Sequence, residues 1–441
     1  MAEASTTTPE LVQGGEPVEG GGRSLRSIVT ATEIDLRLFG LLAALLVIWV
    51  GFHLMSGGTF LTPRNLWFLT VQTAVVAIMA TGMVLIIVTR NIDLSVGSML
   101  GFIGVAIALL QAEWLPRFIG FDHPATWILA LALALVLGAL IGAFHGVIVA
   151  YAGVPAFIVT LGGLLVWRGG AWALASGRTI APMDSTFQLL GGGSRGSIGE
   201  LMSWAVGLLA CLGIVVALVL GRRQRRRFGF PLRPIWAEVA LGVFGSALIL
   251  GGVYMINRYY LPTNLARQYA EANGIPWPPG GLQIPLGIAN PVLIAIVVAL
   301  VMTFIARRLR FGRYVFAIGG NPDAAVLAGV NTRRTIVKTF MLMGVLVGLA
   351  AAVSTARLNA ATSGLGTLSE LYVIAAAVIG GTSLAGGIGT IPGAVLGALV
   401  MQSLQSGMVL MGVDAPLQDI VVGIVLVMAV GIDTVYRRRI T

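Results

Sequence analysis

Long apolar runs, broken by short polar stretches, dominate the chain. Twelve of them, at about 36–56, 66–88, 94–111, 126–150, 156–175, 200–220, 235–256, 290–306, 336–357, 370–386, 388–410 and 417–435, approach the roughly 20 residues that a helix needs to cross the hydrocarbon core. The runs are continuous rather than alternating, so they predict helices and not the strands of a closed barrel. The expected fold is all-α, a polytopic membrane domain of about 12 transmembrane helices over residues 35–441. Residues 1–34 hold no apolar run of the signal-peptide kind and are rich in Gly, Thr, Glu and Ser; they are expected to form a disordered cytoplasmic tail.

Composition supports a membrane solvent. Of the 441 residues 57% are hydrophobic and 10% charged, well below the charge of a soluble domain. The net charge of +10 invites a nucleic-acid reading, but its distribution argues otherwise. If the N-terminus faces the cytoplasm, 20 of the 28 basic residues fall in inner loops and tails, including Arg90, the block Arg222 to Arg233, the block Arg307 to Lys338, and Arg437 to Arg439. That asymmetry is the positive-inside pattern, and it predicts both termini in the cytoplasm with no nucleic-acid partner. The strongly basic segment Arg222–Gln224–Arg227 reads as an orientation anchor facing anionic lipid.

Cys211 stands alone in an apolar span, and His53, His123 and His145 are scattered, so neither an intrachain disulfide nor a metal cluster is expected. Three outer segments stand out: 176–199 is Gly- and Ser-rich, 257–289 carries Tyr259, Tyr260, Tyr269 and Trp277, and 358–369 is short. Such aromatics serve as interfacial anchors or as a docking face for an external partner. Gly and Ala residues in the fourth, ninth, tenth and eleventh spans favour close helix packing.

The inner loop at 311–334 is the most informative stretch. Gly319 and Gly320 are expected to break the preceding span. Asn321 suits an N-cap, Pro322 the first helical position, and Asp323 the positive end of the helix dipole. Ala324, Ala325, Val326, Leu327 and Ala328 then give a helix of about two turns, which Gly329 stops. Val326 and Leu327 leave it an apolar face suited to a partner groove or to the lipid surface. Asn331 or Thr332 caps the next span.

This loop, AIGGNPDAAVLAGVNTRRT, resembles the coupling loop of carbohydrate-importing ABC permeases of the ribose/xylose branch. The resemblance continues in Asn91 to Gly97 and in Ile374 to Gly389, and covers roughly 35–440. It implies a bacterial inner-membrane permease carrying a monosaccharide, D-xylose above all. The implied partners are an ABC ATPase subunit, a periplasmic sugar-binding protein and a second copy of the permease. The loop in that family seats in a groove of the ATPase, which implies a coupling role for Gly319 through Gly329. The chain departs from the family at Tyr372, where many relatives are acidic, and at Asn91, where relatives often have Gly.

A Walker-type phosphate loop needs a Gly-Lys-Ser/Thr end, and the only lysine here is Lys338, which follows Val337. The chain is therefore expected to bind no cofactor, with ATP and magnesium on the partner ATPase. Asn91, Asp93, Ser95, Asn359, Glu370, Thr382 and Ser383 are candidates for the substrate pathway. For Asp93 a turn role with Ser95 competes with a pathway role. For Glu370 a water-facing loop position competes with the outer gate. Arg168 is expected to snorkel to the surface, with a structural ion pair as the other reading.

Two other classes stand beside the importer. An ion-coupled secondary sugar transporter also fits twelve spans, but few ionisable residues lie in the spans to carry protons. A membrane enzyme acting on lipid-linked sugar would need a cluster of His, Asp and Glu at one membrane face, which the sequence lacks.

Overall fold

The computed structural model describes residues 36–438; the tail expected at 1–34 lies outside them. Among the described residues the regular structure is helical, and only isolated β-bridges join the loops. Apart from a single turn at Ser185–Gln188, the helices in chain order are α1 (Leu36–Met55), α2 (Pro63–Val88), α3 (Val96–Ile119, with a π turn at Leu110–Trp114), α4 (Thr126–Ala152), α5 (Ala156–Ala175), α6 (Gly199–Arg227), α7 (Ile235–Asn257) and α8 (Thr263–Ala272). Then follow α9 (Asn290–Arg308), α10 (Arg310–Gly320), α11 (Pro322–Leu327), α12 (Thr332–Leu358), α13 (Ser369–Ile379), α14 (Ile391–Leu410) and α15 (Ala415–Arg438).

Nine of the described helices (α2 to α7, α9, α12 and α14) are long and apolar enough to cross a membrane. The other three expected spans correspond to shorter apolar helices, at Phe39–Met55, Ser369–Ile379 and Ala415–Met428. Local chemistry sets the starts. Thr62 accepts from the Asn65 amide ahead of Pro63, Thr390 from the Gly393 amide, and Asn331 from the Arg334 amide.

The core is built from α2, α3, α12, α13 and α14. Every α2 residue from Ala77 to Val88 is buried. Small residues let backbones touch. Gly138 and Gly142 of α4 sit against the carbonyls of Gly344 and Phe340 of α12, and Gly348 sits against that of Ala134. Gly380 and Gly397 do the same between α13 and α14. With no water to drive association, such close packing is what holds helices together in lipid. The α6–α7 pair is the least buried of the long helices, with only Ser203, Gly207, Ala237, Val253 and Asn257 buried.

Three local expectations are corrected. The chain breaks after α9 at the extended Leu309, so Gly319 and Gly320 end a separate helix, α10, rather than a span. The tenth span stops at Ile379, because Gly381, Gly386 and Gly387 take positive φ and turn the chain. Its eleven residues rise about 16 Å, roughly half the hydrocarbon core. The segment 358–369 is not a simple outer loop. The Leu365 carbonyl packs on Gly101 and the Gly366 carbonyl on Gly97, so it runs into the bundle along α3.

Candidate functional site

A cleft of about 810 Å³ opens among α2, α12, α13 and α14, at the end of the bundle where α2 begins. Its walls carry amides. Asn65 and Gln72 come from α2, Gln402 and Gln405 from α14. Gln402 Nε2 donates to Gln72 Oε1 at 3.1 Å and to Gln405 Oε1 at 2.7 Å. Ser406 Oγ donates to Asn65 Oδ1 at 3.1 Å. Buried polar groups persist in an apolar bundle when they are paired, and these pair across the α2–α14 contact. Phe68 adds an apolar face, Ser354 and Arg357 line the α12 wall, and Val76, Leu100 and Tyr372 reach the interior end.

From Asn65 to Val76 the helix rises about 16 Å, a depth equal to about half a hydrocarbon core. Beyond it the buried run Ala77–Val88 closes the bundle. Neutral amides both donate and accept, and with Arg64 and Arg357 beside them they suit a polyhydroxylated solute better than a cation. The sequence reading missed these residues. A signal was present: Gln402, Gln405 and Ser406 fall at i, i+3 and i+4, and Asn65 and Gln72 at i and i+7, so each set shares a helix face.

At the opposite end three segments meet. Arg90 Nε donates to the Gly319 carbonyl and its Nη2 to that of Gly320, both at 2.9 Å. The Gly387 amide donates to the Val88 carbonyl at 3.0 Å. Gly319 lies so close to the Val88 carbonyl and the Gly387 amide that a Cβ would overlap both. The junction thus joins the end of α2, the end of α10 and the loop 380–390. Helix α11 follows directly. Asn321 Oδ1 accepts from the Ala324 amide at 3.0 Å, Pro322 opens the helix, and Gly329 follows it at φ +78. Val326 is 56% and Leu327 89% exposed, so this helix presents an uncovered apolar face.

The seven candidate pathway residues lie elsewhere than the cleft. Asn91 Nδ2 donates to the Thr89 carbonyl and hydroxyl, beside the junction. Asp93 makes a turn with Ser95, whose amide and Oγ both donate to Asp93 Oδ1, at 2.9 and 2.6 Å. Ser95 Oγ also lies 3.3 Å from His145 Nδ1, and Trp167 Nε1 donates to His145 Nε2 at 3.1 Å. The tryptophan N–H assigns Nε2 as acceptor and leaves the imidazole proton on Nδ1. This buried network ties the start of α3 to α4 and α5. Asn359 Oδ1 accepts from the Met183 amide, pinning two loops together. Glu370 is buried against Gly97, with Oε2 unpaired among the described residues. Thr382 and Ser383 are buried in the 380–390 loop, where Ser383 Oγ accepts from the Ala385 amide.

Arg168 does not snorkel. Its Nη1 donates to the carbonyls of Ser363 and Leu365, at 2.8 and 2.9 Å, and so holds the inserted segment. No group of three His, Cys, Asp or Glu side chains among the described residues could hold a metal ion.

A helical membrane bundle with a polar cleft entering from one end suits a transport component. The chain belongs to the family described as branched-chain amino acid transport system / permease component, which matches residues 65–430. It is 36% identical to the xylose transport system permease protein XylH of Escherichia coli (strain K12) over 435 residues, 99% of this chain and 100% of the relative. It is also 36% identical to XylH of Haemophilus influenzae, over 92% of this chain and 98% of that one. The ribose import permease protein RbsC of Escherichia coli (strain K12) is 32% identical over 85% of this chain and 87% of its own length. No solved structure matches the chain.

Proposed function

We propose that this chain is the membrane-spanning permease of an ATP-driven monosaccharide importer, with D-xylose as cargo. The amide ladder of Gln72, Gln402 and Gln405 is the observation that carries the reading: it presents paired, uncharged donors and acceptors in a cleft large enough for a sugar. The full-length likeness to xylose permeases supports the choice of a pentose.

In this reading the helices at Phe39–Met55 and Ala415–Met428 also cross the inner membrane, and α13 completes a crossing together with the inserted segment 358–369. That gives twelve spans with both termini in the cytoplasm, and the cleft faces the periplasm. A periplasmic binding protein delivers sugar to its mouth. Helix α11 seats in a groove of a separate ATPase, which binds ATP and magnesium, and two permease copies pair with two ATPases. Closure of the ATPase pair moves α11, and the Arg90 junction passes that movement to α2 and to the 380–390 loop. Arg357, with no hydrogen-bond or ion-pair partner among the described residues, offers donors to sugar hydroxyls at the cleft wall. Asp93, Ser95, Glu370, Thr382 and Ser383 shape the elements that flank the path.

The test is uptake of radiolabelled D-xylose into proteoliposomes holding this chain, the ATPase and binding protein encoded beside it, internal ATP and no ion gradient. Uptake that requires ATP and the binding protein supports the proposal. Uptake that requires a proton gradient and not the ATPase would make the chain a secondary transporter.

A further inference from the structure

A second large cavity shares no lining residue with the cleft. It is a groove of about 770 Å³ between α6 and α7, walled by Val215, Leu218 and Val219 on one side and by Val243, Ala247 and Leu250 on the other. One end is apolar. The other is ringed by Arg222, Arg223 and Arg226. We infer that this groove binds one anionic phospholipid, with its phosphodiester headgroup on the arginines and an acyl chain along the groove.

Three observations fit that occupant. The first is length. From Val215 to Arg226 the helix rises about 16 Å, close to the depth of one leaflet of hydrocarbon. The second is charge. Residues 222–238 hold six arginines against a single acid, Glu238. Arg222 is held in place by Glu238 at 2.8 Å and by the Arg233 carbonyl at 3.2 Å. Arg223 and Arg226 make no ion pair among the described residues and stand exposed at the groove mouth. The third is surroundings. Val219 and Val243 are 47% and 64% exposed at hydrocarbon depth, where only an acyl chain or another helix can cover them.

Charge separates those two occupants. A second copy of the chain sits in the membrane the same way up, so its own arginine cluster would meet this one at the same depth and repel it. An anionic lipid instead supplies the missing countercharge, as basic pockets at the cytoplasmic membrane face do.

The experiment uses the full chain in detergent. Binding of fluorescent dioleoyl phosphatidylglycerol is compared with that of the matching phosphatidylcholine. The expected result is a clear preference for phosphatidylglycerol that inorganic phosphate does not compete away. Arg223→Gln with Arg226→Gln should weaken phosphatidylglycerol binding by about thirtyfold. Val243→Trp, which fills the groove and keeps every arginine, should also weaken it, with the melting temperature unchanged. Equal binding of the two lipids, full competition by phosphate, or wild-type binding by both variants would overturn the inference. So would disulfide-linked dimers formed through Val243→Cys, because a second copy would then occupy the groove.

Discussion

Arg90 holds the Gly319 carbonyl through its Nε at 2.9 Å, across more than two hundred residues of sequence. The contact joins the foot of α2, which forms one wall of the cleft, to the helix that leads into α11. Arg90 adopts φ +62 to reach it, a conformation that costs a non-glycine residue energy and that the surrounding junction must stabilise.

The first prediction concerns that junction. Arg90→Ala removes two charge-assisted hydrogen bonds and should lower ATP-driven uptake by roughly tenfold or more, while the assembled transporter keeps its ATPase activity. Gly319→Ala should be more severe, because its Cβ overlaps the Val88 carbonyl and the Gly387 amide. Paired measurement of ATP hydrolysis and uptake decides it. Parallel loss of both activities in Arg90→Ala would mean that the contact serves assembly and not transmission.

Helix α11 gives the second. Leu327 is almost fully exposed, so Leu327→Asp should leave the melting temperature of the isolated permease unchanged. Co-purification of the ATPase should nevertheless be lost. Asn321→Ala, which removes the cap on the Ala324 amide, should weaken association more mildly, since a cap contributes about 1 kcal/mol. Normal ATPase recovery with Leu327→Asp would remove α11 from the interface.

The cleft supplies the third. Gln402→Ala takes away the amide that bridges Gln72 and Gln405, and should reduce the initial rate of D-xylose uptake by about fivefold per sugar hydrogen bond lost. Gln402→Asn should recover part of that rate. Ser98→Ala, buried below the cleft and bonded only to the Ser95 carbonyl, should leave uptake close to wild type. If both cleft variants transported normally, the path would run elsewhere.

The fourth tests packing. A side chain at Gly344 meets the Gly138 carbonyl, so Gly344→Val must push α12 away from α4. Overpacking of this kind costs about 1–3 kcal/mol. The expected result is a melting temperature lower by several degrees. Gly162→Ala, at a site where a Cβ meets nothing, is the control and should be neutral.

The chain's periodicity made most of the bundle legible, because each long apolar run maps to one helix. The capped α11 was legible for a different reason: Asn321, Pro322 and Gly329 act on their own neighbours, and local rules suffice for local structure. The half-length α13 was not. Its apolar composition runs on through Gly380–Gly389, and only contacts with α2 and α10 show that the glycines form a junction. Arg168 was misread because a lone charge in a span snorkels by default, and the carbonyls it binds at Ser363 and Leu365 belong to a segment expected outside the membrane. The cleft was hidden for a related reason. Gln72 and Gln402 are single polar residues in separate apolar helices, and nothing in either run records that they face each other.

The lining of the cleft has a bearing on the cell's electrical economy. It contains amides, hydroxyls and the cations Arg64 and Arg357, and no carboxylate. A proton or sodium ion entering it meets positive charge and finds no anionic site to replace its hydration shell. The wall that welcomes a neutral solute is therefore also an insulator. On the proposed reading, a passage lined this way carries its neutral cargo without a cation alongside and leaves the membrane potential intact.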